Sequence, residues 1–202
     1  MPSRRSVLRT IRVTDSLDQV LTKEARERSV SVNTLANGIL TKYCEWDKYQ
    51  DKTHRVSIPQ ATVEILFGDA SQETLVKAAK ETGNRVVEMG LFLFGASGPQ
   101  TVIQYLELLG KYVGTFRLEE KVVGDVLVME FYHGMGIQYS QYLSSAIQTA
   151  LERAGAPRPE IDLANHVVSV KLPLVRHKPL RPANTDLFGQ DDISPAQEEE
   201  DG

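Results

Sequence analysis

Arginine side chains are concentrated at the N-terminus of the chain. Residues 1 to 14 contain Arg4, Arg5, Arg9 and Arg12 and no acidic residue, whereas residues 190 to 202 contain six acidic residues and no basic one. A guanidinium group bonds a phosphate, or the acceptor edge of a guanine, through two parallel N–H donors. The charges that sum to -4 are therefore distributed unevenly along the chain. The basic N-terminus is the part suited to bind a polyanion.

The arginines alternate with β-branched residues in the segment Ser6–Val13, a pattern that predicts a short strand. Because strand side chains alternate between two faces, Leu8, Thr10 and Arg12 are expected to share one face. A single strand has no partner for its backbone hydrogen-bonding groups. We therefore expect a second copy of the chain to supply that partner in a dimer.

Two helices are predicted after this strand. Ser16 and Gln19 have the spacing of a capping box, which predicts a helix over residues 16–28. Ser31 is a favourable N-cap residue and predicts a second helix from Val32 to about residue 49. Apolar residues recur at helical spacing in both segments, so each helix is expected to have one apolar face.

This order of elements leads to a resemblance. The stretch Arg9–Leu17, followed by Ser31-Val32-Asn33-Thr34, resembles the ribbon-helix-helix superfamily of the Arc and methionine repressors. The resemblance implies an α+β fold class, with an N-terminal strand-helix-helix unit that is intertwined in a dimer. Repressors of this kind read DNA with a two-stranded β-ribbon.

The resemblance also implies roles for individual residues. The outward strand face would read bases in the major groove through Leu8, Thr10 and Arg12. The start of the second helix would bind a phosphate through Ser31, Val32 and Asn33, and Arg4 and Arg5 would add attraction to phosphates. The implied function is a sequence-specific transcriptional regulator, expected to be a repressor, that binds double-stranded DNA as a homodimer or higher homo-oligomer. A toxin-neutralising or DNA-partition protein of the same superfamily is the alternative.

The rest of the chain predicts two further parts. Residues 55–174 hold most of the apolar residues and predict a helical segment followed by a small β-β-α-β domain. Within this segment, Gly83 and Gly90 predict a kink or break in a helix over about 72–94. The domain at 55–174 follows a DNA-binding domain at 1–52. It resembles the small sensing domains that often follow ribbon-helix-helix modules, and this resemblance implies that the domain oligomerises the protein or binds an unknown effector. Residues 175–202, rich in proline and acid, are expected to be a disordered tail.

One further motif could bind a ligand. His133-Gly134-Met135-Gly136 lies at a predicted strand-to-helix turn, where glycines allow close approach of a ligand to the backbone. His133, Gly134 and Gly136 are therefore possible ligand-binding residues, and His133 could also act as a base or a metal ligand. A capped or solvated histidine is the alternative interpretation.

The remaining residue types favour neither catalysis nor a cofactor. The four histidines, at positions 54, 133, 166 and 177, have no metal-ligand spacing, and Cys44 is the single cysteine. We identify no base beside Ser140 or Tyr139 and no catalytic trio. The expectation is a protein that is not an enzyme and has no metal or cofactor. An enzyme with a site around His133 is a third hypothesis.

The sequence contains no stretch of about 20 apolar residues and no signal peptide, so we expect a cytoplasmic protein that binds no membrane.

Overall fold

The computed structural model describes residues 7–50 and 56–173. The chain divides into two compact units, Met1–Lys52 and Thr53–Gly202, which we call unit 1 and unit 2. Arg4, Arg5 and the predicted tail at 175–202 lie outside the described residues. Among the described helices, no single one is both long and apolar enough to cross a membrane, and one consecutive pair would pass that test only when joined across a 95° bend.

The N-terminal strand predicted for unit 1 is wrong. Residues 7–14 form no strand within the described part of the chain, and the first regular element is the helix α1, Asp15–Glu27. The fold class of unit 1 is therefore helical rather than a βαα ribbon. The physical reason is the one that makes any lone strand unstable. Among the residues that the structure describes, no strand lies beside residues 7–14 to accept and donate backbone hydrogen bonds.

The two predicted helices of unit 1 are present with altered ends. Thr14, not Ser16, is the N-cap of α1, since its side-chain oxygen accepts a hydrogen bond from the Leu17 N–H. The chain turns at Ser29, which has a φ of 55°. Ser31 caps α2, Val32–Glu45, by accepting from the Thr34 N–H at 3.0 Å. A short 3-10 turn, Asp47–Tyr49, follows the end of α2, so this helix is shorter than predicted.

Unit 2 begins with three helices. They are α3 (Gln60–Gly68), α4 (Gln72–Phe94) and α5 (Pro99–Tyr112). The predicted break in α4 is wrong, because this helix is continuous over 23 residues. A Cβ at Gly83 would lie 2.6 Å from the Thr149 Cβ and 2.7 Å from the Ala146 carbonyl oxygen. The glycine therefore permits close approach of another helix.

The second half of unit 2 is a sheet covered by one helix. Its elements are β1 (Arg117–Val123), β2 (Val126–Tyr132), α6 (Gly136–Arg153), β3 (Glu160–Leu163) and β4 (Val167–Pro173). The strands are antiparallel in the order β1-β2-β4-β3. The predicted β-β-α-β order is corrected to β-β-α-β-β, because the short edge strand β3 was not predicted.

The core of unit 2 lies between the sheet and the helices. One sheet face carries buried apolar side chains that include Met129, Phe131, Val168 and Val170, each fully buried, as alternation along a strand requires. The opposite face is charged, with Lys121, Glu130 and Lys171 among its residues. Helix α6 packs along α4. Unit 2 therefore forms a closed core from its own residues.

Candidate functional site

The basic segment of unit 1, which we define as residues 7–14, is exposed along its whole described length. Neither the Arg9 nor the Arg12 guanidinium group has a hydrogen bond or ion pair to any residue that the structure describes. Arg28, in contrast, is tied to Glu24, with its Nη2 atom 2.6 Å from Oε1. Arg9 and Arg12 therefore keep their donors available for an external anion.

The residues predicted to read bases all lie in this segment. Leu8 is 93% exposed, and Thr10 and Arg12 are also exposed. The strand that would place these three side chains on one face is not formed, so the predicted alternation is not present here. Exposure of Leu8 to water is unfavourable, because burial of an apolar side chain lowers the free energy of the protein.

The start of α2 has the geometry of an anion site. Ser31 and Asn33 are exposed, and Val32 is half-buried. The Thr34 N–H already donates to the Ser31 side chain. The first N–H groups of a helix have no carbonyl partner within the helix, so those of Val32 and Asn33 are available to a phosphate. The helix dipole favours an anion at the same place.

The helix pair of unit 1 leaves much apolar surface exposed. Large apolar side chains of α1 and α2 are between 47% and 62% exposed, namely Leu17, Val20, Ile39, Leu40 and Tyr43. Of the described residues 7–50, Ala25, Trp46 and Tyr49 are the buried apolar residues. So much exposed apolar surface on a small unit is typical of a protein–protein contact.

The second candidate site is a pocket of unit 2 at the predicted strand-to-helix turn. The pocket, which we call the turn pocket, has a volume of about 460 Å³, and its lining includes Gln60, Arg117, His133 and Gly134. The structure therefore places two of the three possible ligand residues of the turn at one cavity. Gly136 does not line it and instead begins α6 with a φ of 77°, which only glycine adopts without strain.

The His133 ring has a hydrogen bond at each nitrogen. Its Nε2 atom lies 2.9 Å from the Ser140 Oγ atom, and its Nδ1 atom accepts from the Met135 N–H at 3.3 Å. The Ser140 hydroxyl donates its one proton to the Ala164 carbonyl oxygen at 2.6 Å. Ser140 can therefore only accept from His133, so the proton of the neutral ring is on Nε2.

This arrangement makes His133 a structural histidine. Protonation of Nδ1 would set a second donor against the Met135 N–H, and burial, together with the nearby His166, lowers the pKa of His133. Both effects favour the neutral ring. A base or a metal ligand needs a free nitrogen lone pair, and the lone pair of Nδ1 is occupied by Met135. The ring instead fixes the turn to α6 and to the loop at Ala164.

Ser140 is the residue of this turn that the sequence interpretation missed. No base was identified beside it, yet the structure places His133 against its hydroxyl. The two do not form a nucleophile–base pair, because the serine proton points to Ala164 and Ser140 is fully buried. Ser140 lies one helical turn after Gly136, the first residue of α6. Helix geometry therefore places Ser140 near the end of β2, provided that the first residue of α6 is known.

Gly134 lies close to a side chain across the turn pocket. A Cβ at Gly134 would lie 2.7 Å from the Gln60 Nε2 atom, and that amide donates to Glu64 at 2.9 Å. The contact involves only the end of the flexible, exposed Gln60 side chain, which could move aside for a Cβ at this position. In the described residues no group of three or more histidine, cysteine, aspartate or glutamate side chains is placed to hold a metal ion.

Comparisons with protein-family models, with curated proteins and with solved structures found no match for this chain. The ribbon-helix-helix resemblance thus stays an expectation that depends on the stretches Arg9–Leu17 and Ser31–Thr34.

Proposed function

We propose that this chain is a DNA-binding regulator that acts as a homodimer, with residues 7–50 as the DNA-binding and dimerising part. The observation that carries the proposal is the basic segment itself. Arg9 and Arg12 are exposed, have no partner among the described residues, and directly precede a helix pair with exposed apolar side chains. A polyanion would bind the arginines, and a second copy would cover the apolar side chains.

The start of α2 supports the same function. The N–H groups of Val32 and Asn33 could bind one phosphate of the duplex and so orient the protein on it. The proposal does not require residues 7–14 to form a strand. It requires only that their arginine side chains reach the duplex, where each could contact a phosphate or a guanine edge.

A selection experiment followed by a titration tests this function. Full-length protein would first be used to select duplexes from a random library, and binding of a selected and a scrambled duplex would then be measured by fluorescence anisotropy at several salt concentrations. We expect the selected duplex to bind at least about 1000-fold more tightly. Arg12→Ala should weaken its binding by about 5- to 150-fold.

The matched control is Arg28→Ala, which removes an equal charge from unit 1 but from a guanidinium group already tied to Glu24. We expect its affinity for DNA to stay within about twofold of the unchanged protein. Equal losses in both variants would mean that only total charge matters. Failure to enrich any sequence would refute a sequence-specific regulator.

A further inference from the structure

A second cavity of unit 2 lies among the helices α4, α5 and α6 and the segment that precedes β1. This cavity, which we call the tyrosine pocket, has a volume of about 250 Å³. Most of its walls are apolar, and the larger side chains among them are Tyr105, Leu106, Leu109, Phe116, Leu143 and Ile147. Apolar walls around a few polar groups are the usual composition of a small-molecule site.

The polar groups that line the tyrosine pocket are the Arg85 guanidinium group and the hydroxyls of Thr82, Tyr105, Thr115, Tyr139 and Tyr142. Two of these hydroxyls bond each other, since Tyr142 Oη lies 2.8 Å from the Thr82 Oγ1 atom. A pair of hydroxyls has two protons, but the bond between them uses only one. Within the described residues, the Thr82–Tyr142 pair therefore keeps one O–H proton that has no protein acceptor.

Tyr139 and Tyr142 remain donors at neutral pH. Burial is the largest cause that raises the pKa of Tyr139 and of Tyr142 above the ordinary value. The phenol groups therefore stay protonated well beyond the physiological range. Thr82 and Tyr142 are half-buried, so a ligand that supplied an oxygen acceptor would take the place of water at this proton and form a hydrogen bond in a partly buried site.

The charge at the rim favours a neutral ligand over an anion. Arg85 lines the tyrosine pocket, but its guanidinium group pairs with Glu81 at 3.6 Å and with Glu88 at 3.4 Å. Glu88 also pairs with Arg153 at 3.6 Å. Two arginines thus face two glutamates, so the rim carries no net positive charge to hold a carboxylate.

The tyrosine pocket and the turn pocket adjoin each other. The two cavities share Val113, Thr115, Phe116 and Tyr139 in their linings. Tyr139 therefore has one surface toward each cavity, and a ligand in the smaller cavity can extend past it into the larger one. The shared lining also places the side chains of Thr115 and Tyr139 where the two cavities meet.

We propose that the tyrosine pocket binds a small, uncharged and mostly apolar organic molecule that has one carbonyl oxygen, with the apolar body among the leucines and the oxygen accepting from a tyrosine–threonine hydroxyl pair. The site is independent of DNA binding and needs no partner chain. The ligand class comprises ketones, lactones, esters and amides, and excludes carboxylates and phosphates.

The test uses the full chain and three probes of similar shape, measured by isothermal titration calorimetry. We expect 2-acetylnaphthalene, a neutral ketone, to bind roughly two- to twelvefold more tightly than the hydrocarbon 2-ethylnaphthalene, which lacks the acceptor. We expect the anion 2-naphthoate to bind more weakly than the ketone. Binding of none of these probes, or tighter binding of the anion, would overturn the proposal.

Two variants locate the binding. Leu109→Trp should weaken binding of the ketone and the hydrocarbon by about tenfold or more, because the larger side chain fills the tyrosine pocket. Leu108→Trp is the matched control, because Leu108 is also half-buried on α5 but does not line this pocket, and it should leave both affinities unchanged. Equal losses in the two variants would overturn the assigned position.

A second substitution tests the hydroxyl argument without changing the volume of the pocket. The double variant Thr82→Val and Tyr142→Phe removes both hydroxyls of one pair, since either hydroxyl alone could still donate. We expect it to reduce the preference for the ketone over the hydrocarbon. If the preference persists, the same change is made at Thr115→Val and Tyr139→Phe. A preference that survives both double variants would overturn the role of the hydroxyls.

Discussion

Units 1 and 2 differ in how far each buries its own apolar residues. In unit 2 the side chains of Met129 and Phe131 have no exposed surface, whereas in unit 1 Val20 is 62% exposed and Ile39 is 50% exposed. Hydrophobic burial is the main favourable contribution to folding. Unit 2 therefore completes a core by itself, and the exposed residues of unit 1 favour a partner that completes the core there.

The largest expected effect is at the centre of the unit 2 core. Phe131→Ala should lower the free energy of unfolding by about 3–5 kcal/mol, because the aromatic side chain is fully buried and leaves a cavity. Its ring also makes an edge contact with Phe116, with ring centroids 5.1 Å apart. Chemical denaturation measures this change. Ile65→Ala, at a site 65% exposed, should stay within about 0.5 kcal/mol, and an equal loss there would contradict a closed core.

Two glycines sharpen the comparison between the units. Gly83→Ala should cost about 1–3 kcal/mol of unfolding free energy, since the new Cβ would overlap α6 at Thr149 and Ala146. Gly38→Ala in α2 should instead stabilise the helix by about 0.5–1 kcal/mol, because no described atom outside its own helix lies within 4 Å of that Cβ. Thermal unfolding of both variants is the measurement. A stabilised Gly83→Ala protein would mean that α4 and α6 are not in close contact.

A charge on the exposed apolar face of unit 1 should disrupt the dimer. Ile39→Lys places an ammonium group where a second copy is expected to pack, and we expect the dimer dissociation constant to rise by about tenfold or more. Sedimentation equilibrium measures it. Thr41→Lys, at another exposed position of α2, is the control and should leave the constant nearly unchanged. If the unchanged protein is monomeric at micromolar concentration, the proposed self-association fails.

The smallest expected effect is the pH dependence at His133. Its folded pKa is lowered from the ordinary value of 6.5, so the unfolded chain binds more protons near and just below that value. The contribution of His133 to stability is therefore fully present above pH 6.5 and is lost as the pH falls through the folded pKa. NMR titration of the ring should give a midpoint below 6.5 and a proton on Nε2. A midpoint above 6.5, or a proton on Nδ1, would contradict a structural role.

Local sequence signals predicted several elements of this fold. The hydroxyl side chain of Ser31 caps α2 as predicted, and that of Ser71 caps α4 in the same way, because an N-cap acts over only three residues. The turn between the first two strands of the predicted β-β-α-β unit contains Gly124, which has a φ of 60°. These features depend on neighbours along the chain, which a single sequence displays directly.

Features that depend on distant residues were missed or misread. Gly83 was taken for a helix break because its contact with α6 joins residues more than sixty positions apart. The strand β3 has four residues and is stabilised only by pairing with β4. Residues 7–14 carry a strand pattern but find no strand to pair with in the described chain. In each case tertiary contacts decide what the local pattern leaves open.

The candidate sites likewise combine features that neighbouring residues predict with features that depend on distant residues. The glycines of the His133 turn pointed to the turn pocket, because they are close together in sequence. The hydroxyl pair of the tyrosine pocket joins Thr82 to Tyr142, and Thr115 and Tyr139 line the same pocket. No spacing rule relates these residues, since three elements bring them together. The hydrogen bonds of His133 to Ser140 and Met135 likewise could be identified only once the first residue of α6 was known.

The most direct test of DNA binding by a dimer is the stoichiometry of the complex between the full-length protein and a selected duplex, measured by native mass spectrometry. We predict two chains, or a multiple of two, on each duplex, because we expect a second copy to cover the apolar faces of unit 1 while the arginines of both copies contact DNA. A complex with one chain per duplex, or no complex at low salt, would contradict this prediction.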